Sequence, residues 1–222
     1  MDKFDDEKIS EHIETRSEFI IKCVNNPFIA YVDNFLPEEV IEDLIKDIDE
    51  HVTFKRAGVV DNETGKSTFH YARNNLSGNS LPYHLSPAAV IFLQIASQTI
   101  RLNPLQAEPL SIIKYKIGQK YDPHHDSFTP ETLKENTPEA GNRIATALLY
   151  LKTPQEGGAT DFPKMNISIE AKKNRCVFFT NSHMGTDIKL EESFHGSEPV
   201  MRGEKMAVNL WFRQTTYQKD EH

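Results

Sequence analysis

From Ser111 onward the chain is cut into short β-rich runs separated by turn residues, and this pattern leaves little choice of fold. The runs are 112–116, 145–151, 167–169, 177–179 and 207–212, rich in β-branched and aromatic side chains. Gly118, Gly157-Gly158, Pro163, Gly196, Pro199 and Gly203 punctuate them. A parallel α/β sheet would need a crossover helix between successive strands, and no helical pattern alternates with these runs. The expectation is a mainly β protein, a sandwich or barrel with flanking helices, of α+β class.

The helices fall in the first half. Pro37 suits a first helical turn, Glu38 and Glu39 follow it, and Val40, Ile41, Leu44 and Ile45 recur at helical spacing. A second helix is expected from Ser86 to Ile100, through Val90, Ile91, Leu93 and Ile95. Between them, roughly Arg56 to Pro82, lies a polar stretch rich in Gly, Asn and Ser that reads as loops with short strands. The expected organisation is an N-terminal extension over 1–26, a helical and loop region over 27–110 packing on the core, and a β core over 111–217. Residues 27–217 together form one domain.

Composition removes several classes of function. With 25 Lys+Arg against 33 Asp+Glu the net charge is −8, which argues against coating nucleic acid. No apolar run approaches the roughly 20 residues that span a bilayer. The acidic start, Met1-Asp2-Lys3-Phe4-Asp5-Asp6-Glu7, lacks the basic and apolar stretches of a signal peptide. Cys23 and Cys176 are too few for a disulfide framework or a zinc-thiolate set. A soluble cytoplasmic protein is expected, with no nucleic-acid and no membrane partner.

Tyr121-Asp122-Pro123-His124-His125-Asp126 is the first cluster with chemical content. On a strand, side chains at i and i+2 share a face, so His124 and Asp126 converge while His125 points away. A metal site needs a third ligand, and His195 in Ser193-Phe194-His195-Gly196 is the best candidate, with His125 and His183 as rivals. Two histidines and one carboxylate form the facial triad of non-haem Fe(II) oxygenases, which leaves positions open for a cosubstrate and dioxygen. Ten residues after His195 comes Lys205. On the strand that follows, Lys205, Ala207, Asn209, Trp211 and Arg213 share one face. If that face is inward, a cation enters the barrel past small side chains. A buried lysine is costly unless paired, and a dicarboxylate chelating the metal at its other end would supply the pair.

Taken together, these runs resemble the prolyl 4-hydroxylase family of the 2-oxoglutarate- and Fe(II)-dependent dioxygenases. The likeness rests on Tyr115, Gly118-Gln119, Tyr121 and His124-His125-Asp126, on Arg143-Ile144-Ala145-Thr146 with Leu149-Tyr150-Leu151, and on Glu156 to Pro163. It continues through His195-Gly196, Pro199-Val200, Gly203-Glu204-Lys205 and Trp211. The resemblance implies a double-stranded β-helix, or jelly-roll, with His124, Asp126 and His195 as catalytic iron ligands. It implies that Lys205 binds the distal carboxylate of 2-oxoglutarate, helped by Tyr115 and Thr160, and that Tyr121, Arg143 and Trp211 line the substrate cleft. Met206, Ala159 and Arg213 depart from the family pattern. None of the three is among the implied ligands of iron or 2-oxoglutarate, so they bear on substrate choice.

The implied activity is hydroxylation of proline in a peptide or protein, with 2-oxoglutarate decarboxylated to succinate. Fe(II) is the cofactor, 2-oxoglutarate and O2 are cosubstrates, and ascorbate is the reductant. Related halogenases lack the carboxylate, so Asp126 favours hydroxylation. The expected partner is a proline-containing peptide or protein, and the enzyme a monomer or homodimer of the bacterial or viral soluble type. The alternatives are the same chemistry on another residue, a free amino acid or a small molecule, and a non-enzymatic jelly-roll that only binds metal. The latter would have no need of His124, Asp126, His195 and Lys205 together.

Overall fold

A computed structural model describes residues 21–25, 28–60, 67–68, 72–136, 138–183, 186 and 188–217. Its strands are β1 Ile21–Asn25, β2 Phe28–Val32, β3 Phe54–Arg56, β4 Val59–Val60, β5 Ser67–Thr68, β6 Leu76–Gly78, β7 Ser111–Tyr115 and β8 Tyr121–His124. The second half adds β9 Arg143–Lys152, β10 Glu156–Gly157, β11 Thr160–Phe162, β12 Ile167–Ile169, β13 Cys176–Thr180, β14 His195–Ser197, β15 Val200–Arg202 and β16 Lys205–Arg213. The helices are α1 Glu38–His51, α2 Pro87–Ile100 and the short α3 Pro130–Lys134.

An eight-stranded antiparallel sheet runs in the order β1-β2-β13-β9-β16-β7-β6-β3, and a four-stranded one in the order β12-β11-β14-β8. The large sheet is apolar on both faces at its centre, which its sequence dictates through period-two alternation. On β9, Ala145, Ala147, Leu149 and Leu151 join Met206, Val208, Leu210 and Phe212 of β16 in one cluster, which includes the buried sides of α1 and α2. Leu148 and Tyr150 face the other way, with Tyr115, Val177, Phe179 and Ala207, against Phe162 and Ile169 of the small sheet. This is the double-stranded β-helix that the sequence implied. The active-site candidates lie between its two sheets.

Both expected helices form. α1 buries Val40, Ile41 and Leu44 of the expected stripe, with Ile48 in place of Ile45, which is only partly buried. Ser86 caps α2 by accepting from the Ala89 amide at 3.0 Å, with Pro87 at the first helical position. Its hydroxyl also donates to Asp47 of α1, which joins the two helices.

Two features differ from the sequence reading, and the short strands expected after α1 take a definite place. Strand β1 pairs with β2, so the large sheet begins inside the segment expected as an N-terminal extension; residues 1–20 lie outside the described residues. The polar stretch after α1 contributes β3 and β6, which pair and extend the sheet from β7; 61–66 and 69–71 of that stretch lie outside the described residues. The expected inward row of β16 breaks at its end. The pairing with β9 shifts between Phe212 and Arg213, and Arg213 turns to Glu108 at 2.9 Å and to the carbonyls of Gly141 and Asn136. It is 1% exposed and absent from the cavity lining.

Candidate active site

The small sheet places the two histidines opposite each other. His195 at the start of β14 is the register partner of His124 at the end of β8, and their rings lie 4.6 Å apart. This close pairing depends on Gly196. A Cβ there would lie 2.8 Å from the Tyr121 carbonyl oxygen and 3.0 Å from the Pro123 nitrogen, both backbone atoms. Asp126, two residues past His124, completes the group. Its Oδ1 is 3.6 Å from His124 Nε2 and its Oδ2 is 3.8 Å from His195 Nε2. Among the described residues, His124, Asp126 and His195 are the set whose ligand atoms all come within 4.8 Å of one another.

The chemistry of this donor set suits a divalent metal. Nδ1 of His124 lies 3.0 Å from the Asp122 carbonyl oxygen and Nδ1 of His195 lies 2.9 Å from that of Ser193. A carbonyl only accepts, so each Nδ1 carries a proton, and Nε2 is in each case the ring nitrogen that faces Asp126 and is placed to be a ligand. Burial pulls the His195 imidazole down to about 4, only partly offset by Asp126, so it is neutral near pH 7. Burial would raise the Asp126 carboxyl, but the positive charge that His195, His124 and Arg143 can place beside it outweighs this and holds the group well below the usual carboxylate range. The rival histidines fall outside the cluster. His125 is half-buried, with Nδ1 3.4 Å from Ser193 Oγ, and His183 is exposed.

A cavity of about 400 Å³ opens from this group. Lys205, Tyr115 and Thr160 line it, and all three are buried. Lys205 Nζ donates to Ser197 Oγ at 2.8 Å and lies 5.0 Å from the centre of the Tyr115 ring. Among the described residues no carboxylate comes within ion-pair distance of it. Burial pulls its ammonium down to about 7, opposed only by the more distant Glu198. Thr160 Oγ1 accepts from the Tyr150 hydroxyl at 2.6 Å, which leaves its own proton to give.

Tyr121, Arg143 and Trp211 also line the cavity. Tyr121 stacks on His124 at 3.7 Å and 18°, with the Arg73 guanidinium 4.4 Å from its ring. The Arg143 guanidinium sits 3.5 Å from the Trp211 ring and 4.6 Å from that of Phe128. Two Arg143 nitrogens donate to the two oxygens of Glu108, at 2.7 and 2.8 Å.

Several residues that shape the site escaped the sequence reading. Glu108 precedes the first β run and carries no motif of its own. Thr146 and Asn181, which hold Asp126, and Ser197, which accepts from Lys205, look like ordinary strand and turn residues. Thr146 alone had a signal, since it ends the Arg143–Thr146 run of the family resemblance.

A family model of the 2OG-Fe(II) oxygenase superfamily matches residues 110–213. The chain is 31% identical over 225 residues to probable prolyl 4-hydroxylase 10 of Arabidopsis thaliana, covering 92% of this chain and 75% of that protein. Its fold is similar to that of a viral collagen prolyl hydroxylase from Paramecium bursaria Chlorella virus-1 in complex with 2OG. The TM-score is 0.65 at 24% identity, over 83% of this chain and 95% of that one. A prolyl hydroxylase of Trichoplax adhaerens, bound to a hypoxia inducible factor peptide fragment, superposes with a TM-score of 0.66 at 15% identity, over 96% and 94% of the two chains.

Proposed function

Since this chain belongs to the prolyl 4-hydroxylase family and is a 2-oxoglutarate- and Fe(II)-dependent dioxygenase, we propose that it hydroxylates proline residues in a peptide or protein. One observation carries the reading. A buried lysine with no carboxylate partner among the described residues shares a cavity with a facing set of two imidazoles and a carboxylate. A five-carbon dicarboxylate with a 2-oxo group is the ligand whose two ends ask for those two surroundings.

In this reading His124, Asp126 and His195 hold Fe(II) through the two Nε2 lone pairs and the carboxylate. Lys205 binds the far carboxylate of 2-oxoglutarate as a charge-assisted hydrogen bond donor, and the hydroxyls of Tyr115 and Thr160 add neutral donors beside it. With 2-oxoglutarate and dioxygen, Fe(II) supplies the oxidative decarboxylation that yields succinate and carbon dioxide and transfers an oxygen atom to a C–H bond.

The chain's own task is to position and to exclude water. Tyr121, Trp211 and Phe128 give the cavity aromatic walls suited to a pyrrolidine ring. Glu108 holds the Arg143 guanidinium beside Trp211 and Phe128, at the wall where a peptide backbone would pass. Extended proline-rich segments lose little entropy on entering such a cleft. Ascorbate is the expected reductant. The enzyme is proposed to be cytoplasmic and to act as a monomer or homodimer; no helix among the described residues is long and apolar enough to cross a membrane.

The test is an assay of the purified chain with Fe(II), 2-oxoglutarate and ascorbate, with and without a proline-rich peptide. The peptide should stimulate succinate formation and gain the mass of one oxygen atom on proline, and His195→Ala should abolish both. Succinate formed with no modified peptide, across a screen of proline-containing sequences, would move the substrate to another residue or a small molecule.

A further inference from the structure

Asp126 does not meet the two histidines unaided. Its Oδ2 accepts from Thr146 Oγ1 at 2.7 Å, and that hydroxyl accepts in turn from Asn181 Nδ2 at 2.8 Å. All three side chains are buried. Proton bookkeeping makes the relay one-directional. A carboxylate can only accept, so the single Thr146 proton is committed to Asp126, and only a donor can then approach the Thr146 oxygen. The Asn181 amide is that donor, and its Oδ1 is left with no partner among the described residues.

Packing does not explain this arrangement. Thr146 lies in a strand whose residues from Ile144 to Leu151 are otherwise apolar and buried, where valine would have the same shape and no hydroxyl to satisfy. An amide with an unpaired oxygen is likewise a cost to the fold. Both residues are firmly seated. Thr146 pairs with Phe179 on β13 and Trp211 on β16, and the Asn181 backbone bonds to Ile144 and Leu190.

We infer that Thr146, held by Asn181, is a positioning residue: by donating to Oδ2 of Asp126, the oxygen 3.8 Å from His195 Nε2, it favours Oδ1, 3.6 Å from His124 Nε2, as the single oxygen offered to the metal. The inference rests on Asp126 being a ligand, as proposed above. Its consequence is chemical. A carboxylate that gripped the ion with both oxygens would take one of the three positions needed by 2-oxoglutarate and dioxygen. Thr146 keeps that position open.

The test uses metal-free full-length chain titrated with Mn(II), read by calorimetry and by the water-proton relaxation of the bound ion. Thr146→Val should weaken Mn(II) binding by about 10–100-fold. It should also lower the relaxation per bound ion by about a third, as one of three water positions is lost to the second oxygen. Thr146→Ser, which restores the hydroxyl, should return both values to those of the unmodified chain, and Asn181→Ala should shift both in the direction of Thr146→Val. Unchanged affinity and relaxation in folded Thr146→Val would overturn the inference, as would a Thr146→Ser variant as defective as Thr146→Val. If Thr146→Val does not fold, unaltered Mn(II) affinity and relaxation in Asn181→Ala overturn it instead. An unmodified chain that binds no Mn(II) would sink the metal site itself, a separate failure visible before any variant is compared.

Discussion

Lys205 has no close counter-ion among the described residues. Burial brings its ammonium down to about 7, far below the ordinary lysine value, so in the absence of a dicarboxylate it loses its proton near neutrality. An entering carboxylate restores the proton, which makes 2-oxoglutarate binding and proton uptake one event above pH 7. Affinity for 2-oxoglutarate, measured with Mn(II)-loaded chain, should therefore fall as pH rises from 7 to 9, approaching about tenfold per unit. Lys205→Met should flatten this slope and weaken binding by about 1.5–3 kcal/mol. A flat profile for the unmodified chain would mean that another group meets the far carboxylate. At this scale the sequence was most legible. His124, Asp126, His195 and Lys205 declare themselves because few other tasks require that chemistry at that spacing. Thr146, Asn181 and Glu108 do not, because their roles depend on contacts between residues far apart in the chain.

At the level of elements, the pairing of β14 with β8 brings the imidazoles together, and its close backbone approach is possible only without a side chain at position 196. Gly196→Ala should push the two strands apart, since the atoms it meets are backbone and yield little. The expected outcome is a loss of about 1–3 kcal/mol in a urea melt, together with loss of Mn(II) binding in the fraction that remains folded. Wild-type metal affinity in that variant would show that the strands tolerate the spread. These strands were harder to read than the helices and the long β runs. α1 and α2 have full stripes and helix-start signals, and β9 and β16 are long apolar runs. By contrast β14 is three residues centred on glycine, and β8 holds Pro123, which suits only an edge strand. Their strand character comes from the partner across the sheet.

Across the whole molecule, a buried ionic cluster joins parts of the chain that no local pattern connects. Glu108, before β7, accepts from Arg143 of β9 and from Arg213 at the end of β16. Burial would raise its carboxyl, but the two guanidinium groups outweigh it and hold it below the usual range. Its stabilising effect is thus present at neutral pH and is lost as the solution is acidified through that depressed value. Glu108→Gln should remove the carboxylate that both buried guanidinium groups share and cost about 3–5 kcal/mol in urea unfolding at neutral pH. A loss below 1 kcal/mol would mean that water reaches the cluster and screens it. The same substitution removes the carboxylate that holds Arg143 at the cavity wall, so peptide turnover should suffer along with stability.

Strand β8 is the outermost member of the four-stranded sheet, with β14 as its neighbour there. An ion held by His124 on one and His195 on the other would act as a rivet through the last seam of that sheet. Iron starvation would then do more than silence the enzyme: it would let the rim fray, tying the protein's lifetime in the cell to its metal supply.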